Sequence, residues 1–110
     1  MLSHQLRKTL STKLIRQTYG EFSLHEHWCP GCKNIHAIAV EQPFQSIGTQ
    51  WNWNGDVNKP TFSPSINIAV KTSIQCHYAI EDGKISFFED CHHNLRGKTV
   101  DLPNIPKEYI

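Results

Sequence analysis

The sequence predicts an α+β fold, one short helix packed on a small, mostly antiparallel sheet. Three observations carry that prediction. Leu2, Leu6, Leu10 and Leu14 recur every four residues with Ile15 adjoining, the spacing of one helix face. From residue 21 onward the apolar pattern changes to alternation, the period of a strand. Finally, Glu81-Asp82-Gly83-Lys84 joins two alternating runs through an Asp-Gly turn, the mark of a two-residue hairpin. A chain of 110 residues is expected to form one domain. Its expected parts are a basic amphipathic helix over 1–20 and a β-rich body over 21–110.

Charge narrows the function classes. Eleven basic residues stand against ten acidic ones, so no global field recruits nucleic acid or a membrane. The balance is local at one end, where Arg7, Lys8, Lys13 and Arg16 sit with no acid in 1–20. A basic helix face is therefore the remaining route to a phosphate backbone, and a nucleic-acid-binding module is the weakest of three functional readings. No apolar run reaches transmembrane length and the start lacks a signal peptide's apolar core, so the expected location is cytoplasmic. In that reducing setting four cysteines read as metal ligands rather than disulfides.

Taken in order, Gly20 is the expected helix stop. Glu21 to Trp28 alternates as a strand leading into Cys29-Pro30-Gly31-Cys32, and Ile35 to Val40 alternates after it, with His36, Ile38 and Val40 on one face. Residues 41–50 hold Pro43 and Gly48 and read as loop. Trp51 to Trp53 is a short strand before an Asn54-Gly55 turn, its tryptophans assigned to the core. Pro60 and Pro64 bracket 60–64 as a stiff loop that delivers Ser65, because proline lacks the donor a central strand needs. Ile66 to Val70 is the next strand. Gln75 to Asp90 is the hairpin. Its turn sets Glu81 opposite Lys84, Ala79 opposite Ser86 and His77 opposite Phe88. His77 and Asp90 then share one face as diagonal neighbours, and Cys76 and Cys91 share the other. The tail from Gly97, with Pro103 and Pro106, is expected to wrap the surface.

The Cys29-Pro30-Gly31-Cys32 knuckle aims two sulfurs at one point, half of a tetrahedral zinc site. The other half must come from among His36, Cys76, His77, Cys91, His92 and His93, and Cys76 is the expected third ligand, the next cysteine and on a rigid strand. For the fourth, Cys91 completes a four-cysteine set and His36 a three-cysteine-one-histidine set. Four protein ligands close the site, so the zinc would be structural. On the other face of the hairpin, His77 and Asp90 form the base and orienter of a nucleophilic triad. Ser65 is the candidate nucleophile, since a serine hydroxyl needs an adjacent base. His93 is a second candidate base.

Trp28-Cys29-Pro30-Gly31-Cys32, Trp51-Asn52-Trp53-Asn54-Gly55-Asp56, Pro60-Thr61-Phe62-Ser63-Pro64-Ser65-Ile66, Cys76-His77, Asp82-Gly83 and Gly97-Lys98-Thr99-Val100-Asp101-Leu102-Pro103 occur in one order. Over roughly residues 27–103 the chain resembles a family of small phage and bacterial zinc-knuckle proteins of undefined function. Relatives of that family sit in bacterial operons for ubiquitin-like conjugation. The resemblance implies a peptidase or isopeptidase, deubiquitinase-like, using Ser65 and His77, with a ubiquitin-like substrate. For a phage-encoded member it implies the host cytoplasm. It also implies His36 as the fourth ligand, because relatives can carry serine at the position of Cys91. Where relatives have Thr-His, this chain has His92-His93. The alternative reading is a non-catalytic zinc-ribbon adaptor that binds a host protein.

Overall fold

Burial alternates residue by residue over 23–29, 36–40 and 75–80. The computed structural model describes residues 5–20, 22–40 and 51–110. Leu2 and the expected loop over 41–50 lie outside them. Strands β1 (Gln5–Thr9), β2 (Ile15–Tyr19), β3 (Phe22–Cys29) and β4 (Asn34–Val40) form one antiparallel sheet in chain order. Strands β5 (Asn52–Trp53), β6 (Phe62–Lys71), β7 (Ile74–Glu81), β8 (Lys84–Phe87) and β9 (Thr99–Asp101) form a second, also antiparallel and in chain order. Among the described residues the only helical element is a single 3-10 turn, Lys107–Tyr109. None of them forms a helix long and apolar enough to cross a membrane.

The expected α+β fold with an N-terminal helix is therefore corrected to two packed antiparallel sheets. The physical reason is an ambiguity of spacing. Four residues are close to one helical turn and are also two full periods of a strand. Ser11 helps decide between them. Its Oγ accepts the backbone N–H groups of Lys13 and Leu14 at 3.1 and 3.2 Å, closing a turn where the helix would have continued. Leu14 and Ile15 are fully buried while Leu6 is 65% exposed, so the leucines do not form one buried stripe. Strand β2 pairs along its length with β3 and β1 with β2, which makes Gln5–Thr9 and Ile15–Tyr19 part of the knuckle's own sheet.

Two further expectations change. Residues 60–64 are not wholly the expected stiff loop, because β6 begins at Phe62 and runs through Pro64. The ladder to β7 slips between Phe62 and Ile66, and proline is tolerated at such a bulge because no ladder bond is required of it. The tail does more than wrap the surface. It adds β9 to the sheet edge, and Leu102 and Ile105 are buried. The hairpin holds its predicted register, Glu81 opposite Lys84 and Ala79 opposite Ser86, with Asp82 and Gly83 both at positive φ, 50° and 76°.

The core lies between the inner faces. Cys29, Ile38 and Val40 of the first sheet meet Phe62, Ile66, Cys76, Tyr78, Ile80, Ile85 and Phe87 of the second. The inner face of β3 is unusually polar, carrying Ser23, His25 and His27. Tyr78 spans the two sheets. Its hydroxyl lies 2.8 Å from His27 Nε2 and 3.1 Å from His36 Nδ1. One hydroxyl has one proton, so one imidazole accepts it and the other donates an N–H to the oxygen. Burial, then the neighbouring His36, lowers His27 to about 3, and burial, then His93 and His92, lowers His36 to about 4.

Both rings are thus neutral in the fold near neutral pH, and their contribution to stability has a definite sign. The unfolded chain takes up protons below about pH 6.5 that the folded rings refuse. Stability should be full above that pH and fall as pH drops toward 4, by up to about 1.4 kcal/mol per pH unit for each ring. Urea midpoints measured between pH 7 and pH 5 test this, and a flat profile contradicts neutral burial.

Candidate metal centre and polar triad

Strands β3 and β4 bring the knuckle together. Cys29 pairs with Asn34 at the end of their ladder, and the N–H of Lys33 donates to the Cys29 carbonyl at 2.8 Å. Inside the turn the N–H of Cys32 points at Cys29 Sγ, 3.3 Å away. Cys76 reaches the same point from the inner face of β7, its Sγ 3.9 Å from that of Cys29. The loop after β8 supplies His93. Donor atoms of Cys29, Cys32, Cys76 and His93 all lie within 4.8 Å of one another, close enough to hold a metal ion. Cys91 stands beside them, its Sγ 3.5 Å from Cys76 Sγ and 3.3 Å from His93 Nε2. His36 is instead engaged with Tyr78. His92 Nε2 lies 3.2 Å from Cys32 Sγ.

The electrostatics of the cluster suit a cation. A hydrogen bond from Cys76, with the knuckle's backbone N–H groups, lowers Cys29 to about 6. Burial and the Cys29 charge push Cys32 up to about 12, while the bond to Cys29 and burial push Cys76 up further. Sulfurs this close share one negative charge readily and resist a second. A divalent cation among them reverses that balance and favours deprotonation of every ligand.

The sequence counts His93 among the residues that could complete the site and as a second base, but favours His36 or Cys91. Gly31 is what gives His93 its room. A Cβ at Gly31 would lie 2.0 Å from the His93 ring, so the imidazole packs where a side chain would otherwise stand. Gly31→Ala should displace His93 and weaken metal retention by about ten-fold or more, within the range seen when ligand support is lost. Cobalt absorption during competition with a chelator measures this, and an unchanged affinity contradicts it.

The second constellation lies on the outer face of β6 and β7. Asn67 pairs with His77, and Ser65, two residues earlier on β6, is a diagonal neighbour of His77. Ser65 Oγ is 3.4 Å from His77 Nε2, and His77 Nδ1 is 3.1 and 3.2 Å from the two oxygens of Asp90. Phe88 covers one face of the imidazole, ring centroids 4.3 Å apart. Trp51 holds the serine's backbone. Its own N–H donates to Ala39 of the first sheet at 2.8 Å and its indole N–H to the Ser65 carbonyl at 3.2 Å. The sequence reading saw Trp51 only as core, because its partner is fixed by the docking of the two sheets. A depression of about 200 Å³ adjoins Ser65, floored by Ala79 and edged by Thr61, Ser63, Pro64 and Glu81. A larger hollow, about 580 Å³, lies over the knuckle beside Gly31, His92 and His93 and touches none of Ser65, His77 and Asp90. Size alone does not make it a reaction site, since it offers no nucleophile paired with a base.

Comparison with known proteins gives a family match over residues 2–88, to the bacterial ubiquitination-like system serine protease, BubE. No curated protein and no solved structure matches the chain. The match includes Cys29, Cys32, Ser65, Cys76 and His77, and it stops short of Asp90 and His93, which rest on geometry. It agrees with the relation to bacterial ubiquitin-like operons that the sequence motifs suggested. The chain belongs to the BubE family of bacterial ubiquitination-like system serine proteases.

Proposed function

We propose that the chain is a serine peptidase or isopeptidase acting on a ubiquitin-like protein, with Ser65 as nucleophile, His77 as general base and Asp90 as its orienter. The observation that carries the reading is the line of polar contacts from Ser65 through His77 to Asp90. Asp90 accepts Nδ1–H, which leaves the Nε2 lone pair facing the Ser65 hydroxyl. As Oγ bonds to the substrate carbonyl carbon, His77 takes its proton. It passes that proton to the leaving nitrogen as the C–N bond breaks, leaving an acyl ester on Ser65. Water, with His77 again as base, then releases the carboxylate. The 3.4 Å gap is loose for a hydrogen bond, as is common before substrate tightens such a site.

The sulfur cluster is read as structural zinc on Cys29, Cys32, Cys76 and His93, three soft thiolates and an imidazole in a closed four-ligand set. No reaction step runs through it. One observation favours a second set with Cys91 in place of His93. The N–H of Leu95 points at His93 Nδ1, 3.2 Å away, which puts the neutral ring's proton on Nε2 and makes that atom a donor to sulfur. Family membership points to protein partners, with the ubiquitin-like protein as the substrate.

Ser65→Ala should lower labelling by a fluorophosphonate probe, and cleavage of a ubiquitin-like precursor, by at least about 1,000-fold. Equal behaviour of wild type and Ser65→Ala would leave the adaptor reading instead. A strong chelator should unfold the chain, seen by circular dichroism, and abolish probe labelling with it. Metal content of Cys91→Ser against His93→Gln separates the two donor sets, because only loss of a true ligand empties the site.

A further inference from the structure

We propose that Gln75 is a positioning residue for this array, a neutral amide clamp that Asn67 aims and that holds Asp90 against His77. The inference rests on the hydrolase reading above. It begins with a weakness in the array. Asp90 lies in the loop beyond the end of β8 at Phe87, and its side chain is 53% exposed. A carboxylate in water is screened and free to turn, so attraction to an imidazole does not hold it in one place. A loop carboxylate that must orient a base needs a second hold.

Gln75 supplies it from the neighbouring strand. Its Nε2 donates to Asp90 Oδ2 at 2.8 Å and to the Asp90 carbonyl at 3.4 Å. One amide nitrogen has two N–H groups, so both bonds can form together. The orientation of that amide follows from its partners. Asp90 Oδ2 and the Asp90 carbonyl only accept, so Nε2 is the end that faces them, and Oε1 is left to accept from Asn67 Nδ2 at 3.2 Å. The Gln75 carbonyl also accepts the N–H of His92 at 3.1 Å, tying the strand's backbone to the loop that carries Asp90. Register makes the arrangement possible. Asn67 stands opposite His77 and Ala69 opposite Gln75, and alternation puts Ser65, Asn67, Gln75 and His77 on one outer face.

The chemistry of the clamp fits its task. A lysine or arginine here would hold the carboxylate more strongly but would neutralise the charge that steadies the imidazolium. A glutamine donates hydrogen bonds and adds no charge, so Asp90 is fixed and its field at His77 is kept. Gln75 itself touches neither Ser65 nor the reacting carbonyl, which makes it a positioning residue.

The test uses the full chain and a fluorophosphonate probe, with kinact and KI measured separately. Gln75→Met keeps length and bulk without the donor, and Gln75→Glu keeps shape but replaces donor by acceptor. Each should lower kinact about ten- to one-hundred-fold, the range for lost second contacts to a functional ligand, with KI within about two-fold. Asn67→Ala should give a smaller loss of the same kind. Adding Gln75→Met to Asp90→Asn should cost nothing further, because both act through one interaction. Wild-type kinact in Gln75→Met, a loss carried by KI, or a loss that multiplies with Asp90→Asn would overturn the clamp. If the wild type labels no faster than Ser65→Ala, the hydrolase reading fails, and the clamp is then judged by the NMR signal of His77 Nδ1–H. That proton should be protected from exchange in the wild type and lost in Gln75→Met. Retention in the variant, or absence in the wild type, overturns the proposal.

Discussion

Side chains of a β-strand leave it alternately on opposite faces, and in β7 that geometry places two kinds of chemistry one peptide bond apart. Cys76 and Tyr78 point into the core, while Gln75 and His77 point outward. The chain repeats the arrangement after β8, where Asp90 joins His77 outside and Cys91 joins Cys76 inside. The sulfur cluster and the polar triad therefore share their backbone. Whatever fixes the separation of Cys76 and Cys91 also fixes that of His77 and Asp90. A metal bound inside would act on the triad through two peptide units, with no contact to Ser65.

The interior is held by specific polar links as much as by apolar area. A domain of this size buries limited surface, so each inter-sheet contact matters. Tyr78 bridges His27 and His36, and His25 packs against Trp53 at 4.4 Å between centroids. Trp51 bonds one sheet through its backbone and the Ser65 carbonyl through its indole. These links define how the sheets dock, and docking decides where the serine stands relative to β7. Neutral imidazoles are suited to such positions, because they supply hydrogen bonds without the cost of a buried charge.

Local signals with one physical meaning were read correctly, and those with two were not. The Asp82-Gly83 turn admits positive φ at both positions, so the pairing of Glu81 with Lys84 could be counted from residues alone. Counting onward from it sorted Cys76 from His77. The leucine series was different, because a four-residue interval suits either a helix or a strand, and the neighbouring strand β3 decided between them. Pro60 and Pro64 suggest a stiff loop over 60–64, but a bulge in the ladder to β7 lets β6 run through Pro64. His93 entered the sulfur cluster because Gly31 leaves it room, a packing relation between residues far apart in the chain.

The sequence by itself determined the hairpin register, the knuckle turn and the separation of sulfur from histidine across β7. Each depends on neighbours within a few residues, where φ, ψ and the two-residue period leave little choice. Tertiary structure alone decided that Gln5–Thr9 and Ile15–Tyr19 are strands, that Trp51 steadies Ser65, that His93 stands over Gly31 and that Gln75 reaches Asp90. Those facts depend on how separate strands dock, and docking energy comes from the whole buried interface rather than from any local stretch of chain.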